Sequence, residues 1–302
     1  MNKKYKFTSY YKKLNIFSLI LIFLAILCLL IKGLNLGIDF KGGTLIEARI
    51  ENTNVNITDV RQSLLKMQLG NINVKKFGKE KDYLLKIETT NINDTQYIKS
   101  INDRLSSDLG SIINFRRVEN VGPKVSNELL NSGLIAIGLS LAAMLFYIWI
   151  RFEWQFSVAA IFALIHDVII TAGIFSLLSY EVNLSIVAAG LTIVGYSMND
   201  TVVIFDRIRE NLRKHSDLSI SEISNSSTNE TLSRTLITSV TTLLALISIY
   251  IFGGSILKGF SFAMIVGVLI GTYSSIFVAT PILNYTNVTS KTVLKEDDEK
   301  TI

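Results

Sequence analysis

The sequence holds 302 residues, 49% hydrophobic and only 18% charged, with a formal net charge of +5. Its apolar runs are too long, and its charged fraction too low, for a soluble domain of this size. The basic residues sit beside the apolar runs, which points to orientation in a membrane and away from nucleic-acid binding. One cysteine, Cys28, leaves no internal disulfide to form.

In chain order, residues 1–13 form a basic tail with Lys3, Lys4, Lys6, Lys12 and Lys13 and no acid. Residues 14–33 hold the first transmembrane helix, its apolar run being Leu14–Ile31. Leu27 before Cys28 does not suit a lipoprotein signal, and no small-x-small cleavage site follows. The run therefore reads as a retained anchor.

Residues 34–131 read as β-α-β-β-α-β. Thr44–Ile50 is rich in β-formers, and Thr58–Met67 carries a stripe of Val60, Leu64 and Met67. Asn73–Phe77 and Tyr83–Glu88 are strands joined by a turn over Gly78–Asp82. Thr95–Leu109 places Ile98, Ile101, Leu105 and Leu109 on one face, and Ile112–Val118 closes the pattern. That order predicts an α+β ferredoxin-like (βαββαβ) domain. It contains no nucleotide loop, metal-spaced His/Cys cluster or nucleophile motif, so the chain reads as a non-enzyme.

Residues 132–284 hold five further spans: Leu134–Ile150, Phe156–Leu178, Leu184–Phe205, Thr235–Phe252 and Gly259–Leu283. Each is long and apolar enough for a crossing, which needs about 20 residues. A charged tail, 285–302, follows. Arg151, the cluster Arg207, Arg209, Arg213, Lys214 and Arg234, and Lys291, Lys295 and Lys300 all fall on the side of the N-terminal tail. The short loops Ser179–Asn183 and Gly253–Lys258 lie opposite, with one basic residue between them. The positive-inside rule makes the basic side cytoplasmic, so both termini are cytoplasmic and the α+β domain extracytoplasmic. The expected fold is a membrane all-α bundle of six helices carrying that domain. Many transporters consist of two similar halves, and this chain reads as one half that needs a partner.

Charge within a span costs about 2.5–3.5 kcal/mol and marks function by default. Asn199 and Asp200 follow a small, polar stretch in the fourth span. Asp200 is too short to snorkel, so it faces a cavity, a partner or its own protonation; hydrogen-bonded helix glue is the alternative. Arg234 opens the fifth span as a counter-charge for Asp200 or as an ordinary membrane anchor. Thr238 and Thr241 follow it on one face, and Thr231, Thr235, Ser239 and Thr242 form a second polar row. His166 and Asp167 stand near the middle of the third span. As neighbours on a helix they point apart, so they are not expected to act as one paired unit, and structural and proton-handling roles fit them equally. Gly259, Ala263, Gly267 and Gly271, continued by Ser275 and Ala279, make a small-residue row for close helix packing. Gly37, Asp39, Gly42 and Gly43, where the first span meets the outer domain, suit a hinge with an unusual backbone path.

Five segments together resemble a known family. They are Gly37–Gly43 (GIDFKGG), His166–Val168 (HDV), Val194–Asn211 (VGYSMNDTVVIFDRIREN), Leu232–Ser239 (LSRTLITS) and Phe252–Gly254 (FGG). The chain is similar throughout to the SecF branch of the SecD/SecF family, in the resistance-nodulation-division superfamily. The resemblance implies a subunit of the Sec preprotein translocase in the bacterial cytoplasmic membrane. Its implied partners are SecD, the SecYEG channel, YajC, SecA indirectly, the translocating preprotein and the lipid bilayer. It implies no cofactor. Protons are the implied coupling ion, with sodium possible, and proton passage falls by motif on Asp200 and Arg234. The competing expectations are a half-size exporter of the same superfamily and a purely structural assembly subunit.

Overall fold

The computed structural model describes residues 5–52, 55–76, 81–88, 95–286 and 288–293. After a 3-10 turn at Phe7–Tyr10, α1 spans Tyr11–Lys32, followed by β1 (Asn35–Leu36) and the single turn α2 (Ile38–Lys41). Then come β2 (Gly43–Ile50), α3 (Ile57–Lys66), β3 (Ile72–Lys76), β4 (Asp82–Ile87), α4 (Thr95–Leu109) and β5 (Ile113–Val121). The remainder is helical except for β6: α5 (Pro123–Arg151), α6 (Trp154–Leu178), β6 (Glu181–Val182), α7 (Leu184–Lys214), α8 (Ile220–Phe252) and α9 (Gly254–Ser274). A π-helical turn, Ser275–Ala279, continues α9 into α10 (Thr280–Tyr285). Phe77 and the first three residues, Gly78–Glu80, of the turn expected over Gly78–Asp82 lie outside the described residues, as do Lys3, Lys4, Lys295 and Lys300.

The chain divides into two units. One comprises Met1–Asn35, Ala136–Tyr180 and Ser185–Ile302; the other comprises Leu36–Ile135 and Glu181–Leu184.

Among the described residues, six helical segments are long and apolar enough to cross a membrane, most of their residues in the first unit: Phe7–Lys32, Lys124–Arg151, Trp154–Leu178, Leu184–Lys214, Ile220–Phe252 and Leu257–Tyr285. Several outrun the apolar stretches read from sequence. Backbone hydrogen bonding continues wherever a helix finds packing and caps, so its ends need not coincide with a change in polarity. α5 begins at Pro123, whose fixed φ and missing N–H suit a first helical position. α8 begins at a capping box, in which the Ser219 hydroxyl accepts from the Glu222 N–H and the Glu222 carboxylate from the Ser219 N–H. The extended ends of α7 and α8 bury Ile208, Leu212 and Ile223, and Asn211 donates to Ser227 at 2.9 Å. Phe152, Phe156 and Phe205 pack together in this unit's core, the Phe205 ring edge-on to the other two.

In the second unit, a four-stranded antiparallel sheet has the order β3-β4-β2-β5. α3 packs on β3 and α4, and α4 on β5. β2 alternates as a half-buried strand should, with Ile46, Ala48 and Ile50 inward, joined in the core by Leu64, Leu85, Ile101 and Leu105. Arg49 grips Asp82 on β4 with two bonds of 2.7 and 2.8 Å. Where the chain enters β2, Gly42 and Gly43 take φ of 76° and 121°, and a Cβ on Gly43 would come within 2.5 Å of the Ile87 carbonyl oxygen. Only glycine meets both demands.

Candidate functional site

Asp200 is 3% exposed although it carries a carboxylate, so α7 turns it toward neighbouring helices. Its Oδ2 accepts from the Ser239 hydroxyl of α8 at 3.5 Å, and Ser239 shares a 2.7 Å hydrogen bond with Thr272 of α9. One long contact is little compensation for a buried carboxylate. Ser239 belongs to the second polar row of α8, and Thr231 and Thr235 of that row are also buried. Its Thr242 accepts from the Tyr196 hydroxyl at 3.3 Å. Thr238, on the other row, is not brought to Asp200; its hydroxyl donates to the Arg234 and Thr235 carbonyls of its own helix. Arg234 is exposed and makes no ion pair with Asp200, although its charge acts on the carboxylate through space. Asn199 is exposed and its side chain bonds to none of the described residues.

His166 and Asp167 depart from expectation. They are adjacent on α6, yet His166 Nδ1 lies 2.9 Å from Asp167 Oδ1. Adjacent Cα–Cβ bonds do diverge, but rotation of the imidazole brings Nδ1 back over the short carboxylate. The two form one paired unit, each 1% exposed. The other carboxylate oxygen, Oδ2, accepts from Ser197 of α7 at 2.5 Å and Ser274 of α9 at 2.8 Å. His166 Nε2 is buried without a hydrogen-bond partner among the described residues, an omission worth about 1–3 kcal/mol.

The small-residue row of α9 explains how these groups meet. A Cβ on Gly267 would overlap the Ile193 side chain, one on Gly271 would come within 2.8 Å of Ser197, and one on Gly259 within 3.2 Å of Ile186. Ala263 is fully buried. α9 therefore lies directly against α7, and the seam carries the Ser197 and Ser274 hydroxyls to the α6 carboxylate. Beyond it, Thr201 shares a 2.9 Å hydrogen bond with Ser275, the first residue of the π turn. A π turn within a helix is frequent at functional sites.

Around the proposed hinge, Gly37 N–H donates to the Val182 carbonyl at 2.7 Å, and its missing Cβ makes room for Glu181. Asp39 Oδ2 accepts from the Leu184 N–H at 2.9 Å. The motif thus holds the loop after α6.

Sequence reasoning missed a second buried pair. Arg209 Nε donates to Glu153 Oε1 at 2.9 Å, the side chains being 8% and 3% exposed. Glu153 stands just before α6 in a polar-looking turn, and only its proximity to Trp154 and Phe156 hinted at burial. Among the described residues, no group of three or more His, Cys, Asp or Glu gathers where a metal would sit.

Residues 101–289 match the family described as protein export membrane protein SecD/SecF, C-terminal, and residues 29–53 match the SecD/SecF GG motif. This chain belongs to the SecD/SecF family. Protein translocase subunit SecF from Rickettsia bellii is 42% identical over 280 residues, covering 92% of each chain. The SecF subunit of Desulfurispirillum indicum is 43% identical over 274 residues, covering 89% of this chain and 87% of that one. The crystal structure of SecDF, a translocon-associated membrane protein of Thermus thermophilus, superposes with a TM-score of 0.85 at 35% identity. That match covers 95% of this chain and 39% of the SecDF chain; a second SecDF structure, in a super-membrane-facing form, gives 0.71 and 41%. The chain therefore spans about two-fifths of the SecDF polypeptides. Together with the six apolar helices, the family makes it a multi-pass membrane protein with a transport role.

Proposed function

We propose that the chain serves as a SecF-type subunit of the Sec translocase, which with a SecD-type partner uses the proton-motive force to complete preprotein export. The observation that carries this reading is a carboxylate, Asp200, buried among three helices of a protein-export family member and held by one long hydrogen bond. Such a group is poised to change charge. A proton moved through 100 mV releases about 2.3 kcal/mol, enough to shift a two-packing equilibrium about fifty-fold. Protonation would remove the attraction between Asp200 and the charge of Arg234, and the helices meeting at Ser239 would re-pack.

The second unit, whose strand order supports a ferredoxin-like reading, would be the extracytoplasmic part that handles the emerging chain, with both termini cytoplasmic. Gly42 and Gly43 would serve as the hinge. SecYEG is the channel partner, YajC an associated subunit and SecA the earlier motor. No cofactor is invoked.

Asp200→Asn tests the coupling, because the amide oxygen still accepts from Ser239. In vesicles containing the full chain and its partner, gradient-dependent export should fall to the level seen without a gradient, with unchanged protein level and assembly. Normal gradient-dependent export at normal level would overturn the reading. Loss of assembly ahead of activity would instead mark Asp200 as structural glue.

A further inference from the structure

We propose that His166 and Asp167 form a second proton-binding centre in the helical bundle, separate from Asp200. Ser197 and Ser274 both donate to Asp167 Oδ2, which is thereby held as an acceptor. The exchangeable proton of the pair is left on the line between Oδ1 and Nδ1, 2.9 Å apart. The ring is fixed from its face as well. Tyr273 of α9 stacks on it, with centroids 6.0 Å apart and planes tilted by 25°. Tyr273 is itself anchored to α1, bonding Ser18 at 2.8 Å and the Leu14 carbonyl at 2.9 Å.

A purely structural junction needs only acceptors for two serine hydroxyls, and an uncharged amide would serve. The site instead holds two titratable groups in contact, which bind protons as a pair. It also leaves Nε2 buried with no hydrogen-bond partner among the described residues. With Asp167 ionised, Nδ1–H donates to Oδ1 and the pair carries one negative charge. A proton arriving at Nε2 forms an imidazolium against the carboxylate, and the pair becomes neutral. Its departure from the same nitrogen restores the charge. Asp200 undergoes the same change of charge on protonation, and it lies only three residues after Ser197 on α7. Of the elements packed around the pair, α9 presents the titratable Tyr273, α7 the uncharged Ser197, and α1 the uncharged Ser18 through Tyr273. Among the described residues, no Lys or Arg forms an ion pair with Asp167.

The chain contains two histidines, His166 and His215, so histidine-selective 15N labelling of the full chain in lipid vesicles reads this ring directly, with His215→Gln assigning it. We expect the His166 ring nitrogens to change from a neutral to an imidazolium pattern as the vesicles are acidified, and Asp167→Asn to alter that change. The Asn oxygen still accepts from both serines and its amide can face Nδ1, so the protein should accumulate normally. Gradient-dependent export should drop while gradient-independent export persists. This last readout rests on the export reading above, whereas the ring titration does not. If Asp200→Asn also leaves export unchanged, gradient use has failed, and the spectrum alone decides on proton binding. A ring unchanged on acidification, or Asp167→Asn exporting like the wild type beside an impaired Asp200→Asn, overturns the proposal. If Asp167→Asn fails to accumulate, the titration of the wild-type ring decides in its place.

Discussion

α5 and α6 follow one another in the chain and both are apolar enough to span a membrane, yet they are built differently. α6 buries Ser157, His166, Asp167 and Ser176 together with Phe156, Ala159, Ala160 and Ala163. In the described part of α5 only Ser126 and Ile148 are buried, and Leu139, Phe146 and Trp149 stand more than half exposed. Apolarity does not distinguish inside from outside when the surroundings are as apolar as leucine. Small and polar side chains do, because only another helix can satisfy them or approach them closely. α6 is an interior helix by that criterion, and α5 an outer one.

The contrast is sharpest where the two helices adjoin. Arg151 ends α5 in an exposed 3.2 Å pair with Asp206, and Glu153 leads into α6 in the buried pair with Arg209. Arg209→Ala should cost about 3–5 kcal/mol by stranding a buried carboxylate. Arg151→Ala should cost about 0–1 kcal/mol. Thermal unfolding midpoints in detergent compare the two, and equal effects would erase the distinction. A smaller gap is expected for aromatic truncation. Phe156 is fully buried, with its ring centroid 5.2 Å from that of Phe205, and Phe156→Ala should cost about 3 kcal/mol from the cavity left. Phe146→Ala, on the outer helix, should fall within about 0.5 kcal/mol of wild type by the same measurement. Glycine substitutions set the finest scale. Gly267→Val drives side-chain atoms into Ile193 and should destabilise by about 1–3 kcal/mol. Gly138→Val meets open space and should be near neutral, so equal extraction yields for the two would mean that α9 does not press on α7 as described.

The apolar runs made the six spans readable, because a crossing needs length and apolarity whatever the partners. The strand and helix periods of the second unit were equally readable, with Thr95–Leu109 matching residue for residue. The polar ends of α7 and α8 were not, since nothing at Asp206 or Ser219 says whether winding stops. At the site, Asp200 announced itself as a charge in an apolar run. Its partner Ser239 could be narrowed only to one of two hydroxyl rows, because row spacing does not say which face meets α7. The pairing of His166 with Asp167 ran against expectation because adjacency on a helix fixes backbone direction and leaves the rotamers free. Ser197 and Ser274 carried no signal of their own, because serine in a span most often bonds its own backbone, as Ser248 does to Leu244.

The wide turn at Ser275–Ala279 has one more consequence. An ordinary helix advances about 100° per residue, so accommodating an additional residue rotates everything after it by roughly that angle. The last span is therefore two differently phased rods joined end to end. Its first part aims glycines at α7, and its second part is free to direct Thr280 and Leu283 inward on a heading that uniform winding would not supply. Deleting one residue there would leave composition and length almost untouched, while turning the end of the polypeptide away from its neighbours.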